Sequence, residues 1–449
     1  MDAIYYTLNP WWEGKEIESG ISRDAYLKKI PTYLTRKQIE VFIGSRRTGK
    51  TTLLKQFIKT LLQTAVSATD IFYLALDHPV LSGIPISEHV RNMRKRFMHD
   101  RDRKLYLFLD EVQESPQWEA ELKALYDLES FKIFCTGSTS SLIARQAGKL
   151  TGRQIVSTVF PLSFQEFIRF RGEPPSLSED YKYEQMADDY LSIGGYPEQV
   201  LNPSQEYMAN LLEDILARDL ARLHPIKKSY ILKDLLRLIG ASTGSRTSFN
   251  KLSKVLGLSV DTVKEYIGYL EMAFLVKPVE KWTTSYSERV YSQKKIYLWD
   301  NGVKTLLTGY GDDGSRAENA VFMELQRNSI SCGYYAESER EVDFVVGSVA
   351  DPVPIEVKYI TTFDWNDRRF DGVRLFLNRF PNVKNILLIT KSVELTTAVN
   401  NVAVHVVPLW KFLWSPQKIP FPLTGEGLAT SPPVKGGDEK QGIPSFPPP

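Results

Sequence analysis

Cysteine is nearly absent: Cys135 and Cys332 are the only two in 449 residues, and they stand far apart. That spacing offers no cysteine metal site and fits a reducing compartment. Net charge is equally scarce, at +2, so no global field marks a nucleic-acid binder and any such surface must be local. No apolar run approaches the length that spans a bilayer. The first residues lack the charged-then-apolar order of a secretory signal, and no internal repeat is visible. Together these absences imply a cytoplasmic protein with no membrane partner. The length exceeds what one hydrophobic core organises and suggests about three domains.

What is present begins with an apolar strand, Ile39 to Ile43, running into Gly44-Ser45-Arg46-Arg47-Thr48-Gly49-Lys50-Thr51-Thr52. The spacing G-x-x-x-x-G-K-[ST] in a strand-loop-helix context is a phosphate loop. Gly44 and Gly49 let the backbone curl until successive N–H groups point at phosphates. Lys50 adds a point charge, and the Thr51 hydroxyl is placed for Mg²⁺. Residues 51–58 then read as a helix whose positive N-terminal end faces the anion. The cofactor implied is ATP with Mg²⁺.

A second apolar run, Leu105 to Leu109, ends in Asp110-Glu111. Behind a phosphate loop this is the Walker B pattern, with Asp110 supporting the metal and Glu111 polarising the attacking water. Two carboxylates after a strand also suit a helix cap. A third strand, Phe131 to Cys135, stops at Thr136-Gly137-Ser138-Thr139. Ser138, with Thr136 as the alternative, is placed to sense that water, although both are ordinary turn residues. Arg145 and Arg153 are each candidates for an arginine finger acting on a neighbouring subunit.

Further along, residues 226–285 change rhythm. The period predicts a helix over 230–239 and a short one over 249–256 stopped by Gly257. Ser259 caps another helix over 261–270, and residues 275–282 read as a strand hairpin. That outline is a winged helix-turn-helix. Its second short helix would present Thr262, Lys264 and Tyr266, with Lys251, Lys254, Lys277 and Lys281 near phosphates. A protein-docking or lid role is the alternative. The basic helix Arg91 to Arg96 is a second candidate DNA surface, or a solvated helix face. At the ends of the chain, Asn9-Pro10-Trp11-Trp12 suits packing on the domain that follows. Residues 416–449 are rich in Pro, Gly, Ser and Lys and read as a disordered tail.

Near the C-terminus, Glu341 to Val346 and Pro354 to Lys358 alternate polar and apolar. Period two puts Asp343 on one face of its strand and Glu356 with Lys358 on one face of the next, joined as a hairpin. Two carboxylates beside an ammonium suit Mg²⁺-assisted phosphodiester hydrolysis, with Mn²⁺ as an alternative ion. Glu318, on a helix upstream, offers a third acid. A solvent-facing hairpin with one cross-strand salt bridge is the other reading of the same pattern.

Taken in order, these motifs resemble a known family. Asn9 to Trp12, Gly44 to Thr51, Leu109 to Gln113, Thr136 to Ser138, Gly152-Arg153, Pro161 to Phe167 and Gly194 to Pro197 carry the likeness. Lys295 to Gly302, Glu318-Asn319, Glu341 to Phe344 and Pro354 to Lys358 extend it. The chain resembles prokaryotic, mainly archaeal, AAA-type P-loop ATPases with a winged-helix segment and a C-terminal PD-(D/E)xK nuclease-like domain of unknown function. The resemblance favours Arg153 over Arg145 as the finger, and it makes Glu318, Asp343, Glu356 and Lys358 a nuclease-type site. Thr139 departs from it, standing where a second Ser is usual.

The expected fold class is α/β, in five segments: an extension at 1–37, the ATPase with helical lid at 38–225, the winged helix at 226–285, the nuclease-like domain at 286–415 and the tail. The expected activity is ATP-driven DNA processing, on duplex or branched DNA and in a homo-oligomer. The rivals are a DNA-remodelling ATPase with a silent nuclease fold and a signalling switch acting on protein partners.

Overall fold

The structure, a computed structural model, describes residues 2–137, 148, 150–176, 178–220 and 229–416. Ser138, Thr139, Arg145 and the tail beyond residue 416 lie outside that set.

Five short strands build the first sheet: β1 (Ile39–Ile43), β2 (Ile71–Ala75), β3 (Leu105–Asp110), β4 (Phe131–Thr136) and β5 (Gln154–Thr158). All neighbours run parallel, in the order β2-β3-β4-β1-β5. Strands covered on both faces must be apolar throughout, and β1 is buried at all five positions. The exception inside it, Glu40, is fully buried but held by Lys132 at 3.0 Å and by Arg36 at 2.7 Å. A buried carboxylate is tolerable only with such partners.

At the other edge, β2 would leave its outer backbone groups unpaired. The expected packing of Asn9 to Trp12 on the ATPase body takes a specific form here. The Asn9 side-chain amide pairs with the Tyr73 backbone like one more strand residue: its Oδ1 accepts from Tyr73 N at 2.7 Å, and its Nδ2 donates to Tyr73 O at 3.0 Å. Trp11 and Trp12 both donate their indole N–H to Ile71 O, at 3.2 and 3.0 Å.

Helices Phe164–Arg171, Asp180–Ile193, Pro197–Leu201 and Gln205–Asp214 follow, and a π-helical turn, Ile215–Leu220, extends the last. The first starts with a capping box in which Ser163 and Glu166 satisfy each other's backbone N–H.

Next come helix Ser229–Ala241, strand β6 (Arg246–Thr247), helices Phe249–Leu256 and Val260–Met272, and strands β7 (Val276–Val279) and β8 (Lys294–Leu298). The helices form where their caps lie: Ser248 and Ser259 accept from the third backbone N–H beyond them, and Gly257 ends the first in the left-handed region. The strand geometry differs from expectation. Residues 275–282 hold one strand, not a hairpin. β7 pairs antiparallel with β8 across a long connection that includes helix Tyr286–Tyr291, and β6 pairs with the other edge of β8. The expected boundary at 285 therefore falls between two hydrogen-bonded partners of one sheet.

The last sheet has six strands: β9 (Cys332–Glu337), β10 (Arg340–Ser348), β11 (Asp351–Val357), β12 (Asn385–Thr390), β13 (Leu395–Val399) and β14 (Val402–Pro408), in the order β13-β14-β12-β11-β10-β9. β10 and β11 form the expected hairpin, while β11, β12 and β14 run parallel. The register of β10 against β9 slips between Val342 and Val345. That irregularity lies at Asp343, and such bulges re-aim side chains. The three-stranded and six-stranded sheets touch: Lys281 bridges Tyr334, and Trp282 N donates to Tyr334 O at 2.6 Å.

Candidate functional site

The phosphate loop leaves β1 at Gly44, where a side chain would strike the carbonyl of Val159. It ends at Gly49, whose φ of 91° starts helix Lys50–Leu62 and is open to glycine with little strain. Beside the loop lies a cavity of about 1170 Å³. Gly44, Ser45, Arg46, Arg47, Gly49, Lys50, Thr51 and Thr52 line it, facing Glu111 and, from the helices after the sheet, Pro197, Tyr207, Arg218 and Asp219. Of the expected loop residues only Thr48 turns its side chain away, donating to Ser45 O at 2.9 Å.

Lys50 donates to the carbonyls of Gly44 and Ser45, both at 3.1 Å. Burial lowers its pKa, opposed by the charges of Glu111 and Asp110. Burial raises the Glu111 pKa, with Lys50 pulling the other way. The Glu111 backbone stands at φ 51°, and its carboxylate accepts from Gln113 at 2.6 Å. Asp110, 4% exposed, accepts hydrogen bonds from the Thr136 hydroxyl on one oxygen and from the Tyr73 phenol, at 2.9 Å, on the other. Thr136 also accepts from Glu111 N at 3.1 Å, so one hydroxyl touches both acidic residues. A hydroxyl on the cavity wall at Thr51 and a carboxylate held at the strand end fit Mg²⁺ carried in with a nucleotide.

Several residues here escaped sequence reasoning. Tyr196 hydrogen-bonds the Ser45 hydroxyl at 2.8 Å, and Asp219 takes Arg46 in a two-point ion pair at 2.6 and 3.0 Å. Arg23, its side chain 3% exposed, forks onto Glu166 at 2.8 Å and donates to Thr48 O at 3.0 Å. The lone signals in the chain were the Gly-Gly-Tyr-Pro run at 194–197 and an Arg-Asp pair at 218–219. Arg153 sits at the opposite end of the sheet, its carbonyl accepting from Ile39 N. Its guanidinium pairs with Asp127 at 2.9 Å, away from the chain's own cavity.

Glu318, Asp343, Glu356 and Lys358 do converge. Lys358 lies 2.5 Å from Glu356 and 3.5 Å from Asp343. Asp343 Oδ2 also accepts from Val357 N at 3.0 Å, and Glu356 Oε2 accepts from Asp343 N at 3.1 Å. A second ammonium, absent from the expected set, stands among the acids. Lys295 of β8, fully buried, is 3.0 Å from Asp343, 3.1 Å from Glu318 and 3.4 Å from Glu341. Tyr297 donates to Glu318 at 2.6 Å. Burial pushes Asp343 upward, but Lys358 and Lys295 outweigh it and hold its carboxyl down at about 2. Burial and the charge of Asp343 push Glu356 up to about 8 and Glu318 to about 7.

The space bridging Glu318 and Asp343 is thus taken by an ammonium. Among the described residues, no group of three or more His, Cys, Asp and Glu is arranged to hold a metal ion. In this arrangement the carboxylates do not fit Mg²⁺ or Mn²⁺ while Lys295 stays in place.

On the helices expected to meet DNA, Lys251, Lys254 and Lys264 are exposed, and Thr262 is half-buried at the helix start. Tyr266 is 7% exposed and belongs to the core, so it presents nothing outward. Lys277 and Lys281 are engaged by Glu271 at 2.6 Å and Glu288 at 2.7 Å. On the basic helix, Arg94 pairs with Glu129 and Arg96 with Asp2, which leaves Arg91 and Lys95 exposed. No helix among the described residues is long and apolar enough to cross a membrane.

Two family models match: an AAA domain over residues 36–168 and a domain of unknown function, DUF8612, over residues 184–314. The second runs through both expected boundaries, 225 and 285. An uncharacterized protein of Haemophilus influenzae is 25% identical over 401 residues, covering 87% of this chain and 98% of its own length. Another, of Methanocaldococcus jannaschii, is 27% identical over 419 residues, covering 88% and 91%. Relatives thus occur in bacteria as well as archaea.

Among solved structures, AMPPCP-bound DnaA from Aquifex aeolicus shares 18% identity, with a TM-score of 0.25 over 59% of this chain and 92% of that one. A DNA polymerase III gamma subunit-related protein from Thermotoga maritima shares 10%, with a TM-score of 0.26 over 67% and 98%. Overlaps that loose transfer nothing to this chain. The phosphate loop and the whole parallel sheet fall within the stretch, residues 36–168, that matches the AAA domain model.

Proposed function

We propose that the protein hydrolyses ATP and uses the cycle to act on DNA. The observation that carries the first half is the cavity in which a complete phosphate loop faces Glu111, with Asp110 fixed behind it. The loop amides and Lys50 bind the phosphates, and Arg46 and Arg47 lie on the same wall. Mg²⁺, held by Thr51 and by Asp110 through its water shell, would supply charge neutralisation at the outer phosphates. Glu111 orients the attacking water. The Thr136 hydroxyl, hydrogen-bonded to both acidic residues, fixes their relation, and Ser138 is kept as the candidate sensor of the water. Arg153 is the candidate to reach a neighbouring subunit in a homo-oligomer, once freed from Asp127.

DNA binding is supported by the winged-helix outline of helices and strands at 229–298 with its exposed Lys251, Lys254 and Lys264. The PD-(D/E)xK pattern at Asp343, Glu356 and Lys358 supports a phosphodiester-directed C-terminal domain. Lys295 favours a second reading of that domain: an inactive nuclease fold in a DNA-remodelling ATPase, because an ammonium stands between the carboxylates that cleavage would use.

The test is ATP hydrolysis and strand cleavage, measured together with Mg²⁺ or Mn²⁺ on duplex, single-stranded and branched DNA. DNA should stimulate hydrolysis in a salt-dependent way, and Lys50→Ala should abolish nucleotide binding. Cut product lost in Asp343→Ala supports the nuclease; stimulation without product supports the remodelling ATPase. DNA that neither binds nor alters hydrolysis overturns the DNA half and leaves a switch acting on protein.

A further inference from the structure

The segment Asn9 to Trp12 and the phenol of Tyr73 have no place in the scheme so far, yet they connect to its centre. Tyr73 lies on β2 opposite Phe108 of β3, two residues before Asp110. Its side chain crosses toward the end of β3 and donates to Asp110 Oδ2 at 2.9 Å. On its outer side the backbone is clamped by the Asn9 amide, at 2.7 and 3.0 Å, with Trp11 and Trp12 fastening Ile71 two residues earlier. Asn9 itself is fully buried and also donates to Tyr5 O at 2.8 Å. An edge strand held only by β3 could shift along its length. Four hydrogen bonds from one short turn remove that freedom.

Asp110 has one oxygen on Thr136 and the other on Tyr73. With both oxygens held, the carboxylate cannot rotate about its terminal bond and is presented from the end of β3 in one orientation. Partners that orient a metal-supporting carboxylate typically change metal affinity or activity by 10–100-fold when lost.

We propose that Tyr73 is a positioning residue for Asp110, and that the Asn9–Trp12 turn belongs to the nucleotide machinery because it sets Tyr73. The proposal rests on the ATPase reading above. A purely structural Tyr73 would add packing and nothing more.

The experiment uses the full chain and calorimetry of ATP binding, first in EDTA and then in Mg²⁺. Tyr73→Phe keeps the ring and removes the hydroxyl. Its affinity in EDTA should match that of the unaltered protein, because Lys50 and the loop amides are untouched. The tightening that Mg²⁺ confers should shrink about 10-fold, and half-maximal hydrolysis should need correspondingly more Mg²⁺. Asn9→Ala leaves the phenol in place and should lose part of the same increment. A full Mg²⁺ increment in both variants overturns the proposal, as does an equal loss with and without the metal. Failure of the unaltered protein to bind ATP in either condition sinks the nucleotide reading itself, an outcome visible before any variant is made.

Discussion

Replacing Lys295 by Met removes one ammonium from among three carboxylates. The side chain is fully buried, 3.0 Å from Asp343, 3.1 Å from Glu318 and 3.4 Å from Glu341. Breaking a buried pair by deleting one partner costs about 3–5 kcal/mol, because the charges left behind are neither paired nor hydrated. That is roughly two to three and a half decades in the folding equilibrium. Lys358 stays close to Asp343 and Glu356 but makes no ion pair with Glu318, so the low end of the range suits Asp343 and the high end Glu318.

Urea titrations at pH 7.5 should show this deficit in the transition reported by the C-terminal tryptophans. Adding Glu318→Gln removes the carboxyl left without an ammonium partner and should return about 1–2 kcal/mol, a coupling typical of residues in one network. A third arm adds Mg²⁺. If a dication can replace the ammonium, the variant regains RT ln(1 + [M]/Kd), about 2.7 kcal/mol at one hundred times Kd, while the unaltered protein gains nothing. A Lys295→Met protein within about 1 kcal/mol of the original would refute the electrostatic account of the cluster.

Glu111→Gln should retain ATP binding and lose turnover by two orders of magnitude or more, checked by single-turnover hydrolysis; near-normal turnover would move the water-orienting role elsewhere. Asp300 predicts a pH dependence. Burial raises its carboxyl from 3.8 to about 6 despite hydrogen bonds from Gly195, Gly302 and Val303. The folded state therefore holds a proton more tightly than the unfolded chain. Stability from this group is present below pH 4 and falls as pH rises through about 6, by up to about 3 kcal/mol. Urea midpoints at pH 4.5 and 6.5 should differ less in Asp300→Asn than in the original, and an unchanged difference would exclude Asp300 as the source. Asp219→Ala should free Arg46 and slow hydrolysis more than it weakens ATP binding, read as a larger change in kcat than in KM.

The strand-loop-helix around the phosphate-loop pattern was legible in the sequence because such a loop needs consecutive backbone groups. Gly44 to Thr51 must be contiguous to wrap a phosphate, and a pattern of contiguous residues survives in a string of letters. The helices at 249–256 and 260–272 were legible for a related reason: Ser248, Gly257 and Ser259 act within four residues of themselves. What was missed depends on distance in the chain. Lys295 meets partners 23 and 48 positions away, and Tyr73 meets Asp110 across 37. Alternation placed Asp343 on one face of its strand but could not foresee the register slip that sits at it. Tyr266 was expected at a DNA surface because it follows Thr262 and Lys264; the helical period instead turns it toward Leu270 and the core. The pairing of β7 with β8 across residue 285 could not be foreseen, since nothing local says that β7 waits for β8.

That late-arriving strand has a practical side. β8 lies between β6 and β7, sends Lys295 into the last sheet, and runs directly into Asp300, which caps a helix and takes the N–H of Gly195. A fragment ending before residue 294 would lose the middle of one sheet, the counter-charge of another and a tether of the lid in a single cut. Dissecting this molecule into separate pieces will therefore need a seam other than the one its motifs advertise. A protease that nicks the folded chain between β7 and β8 should yield two pieces that elute together.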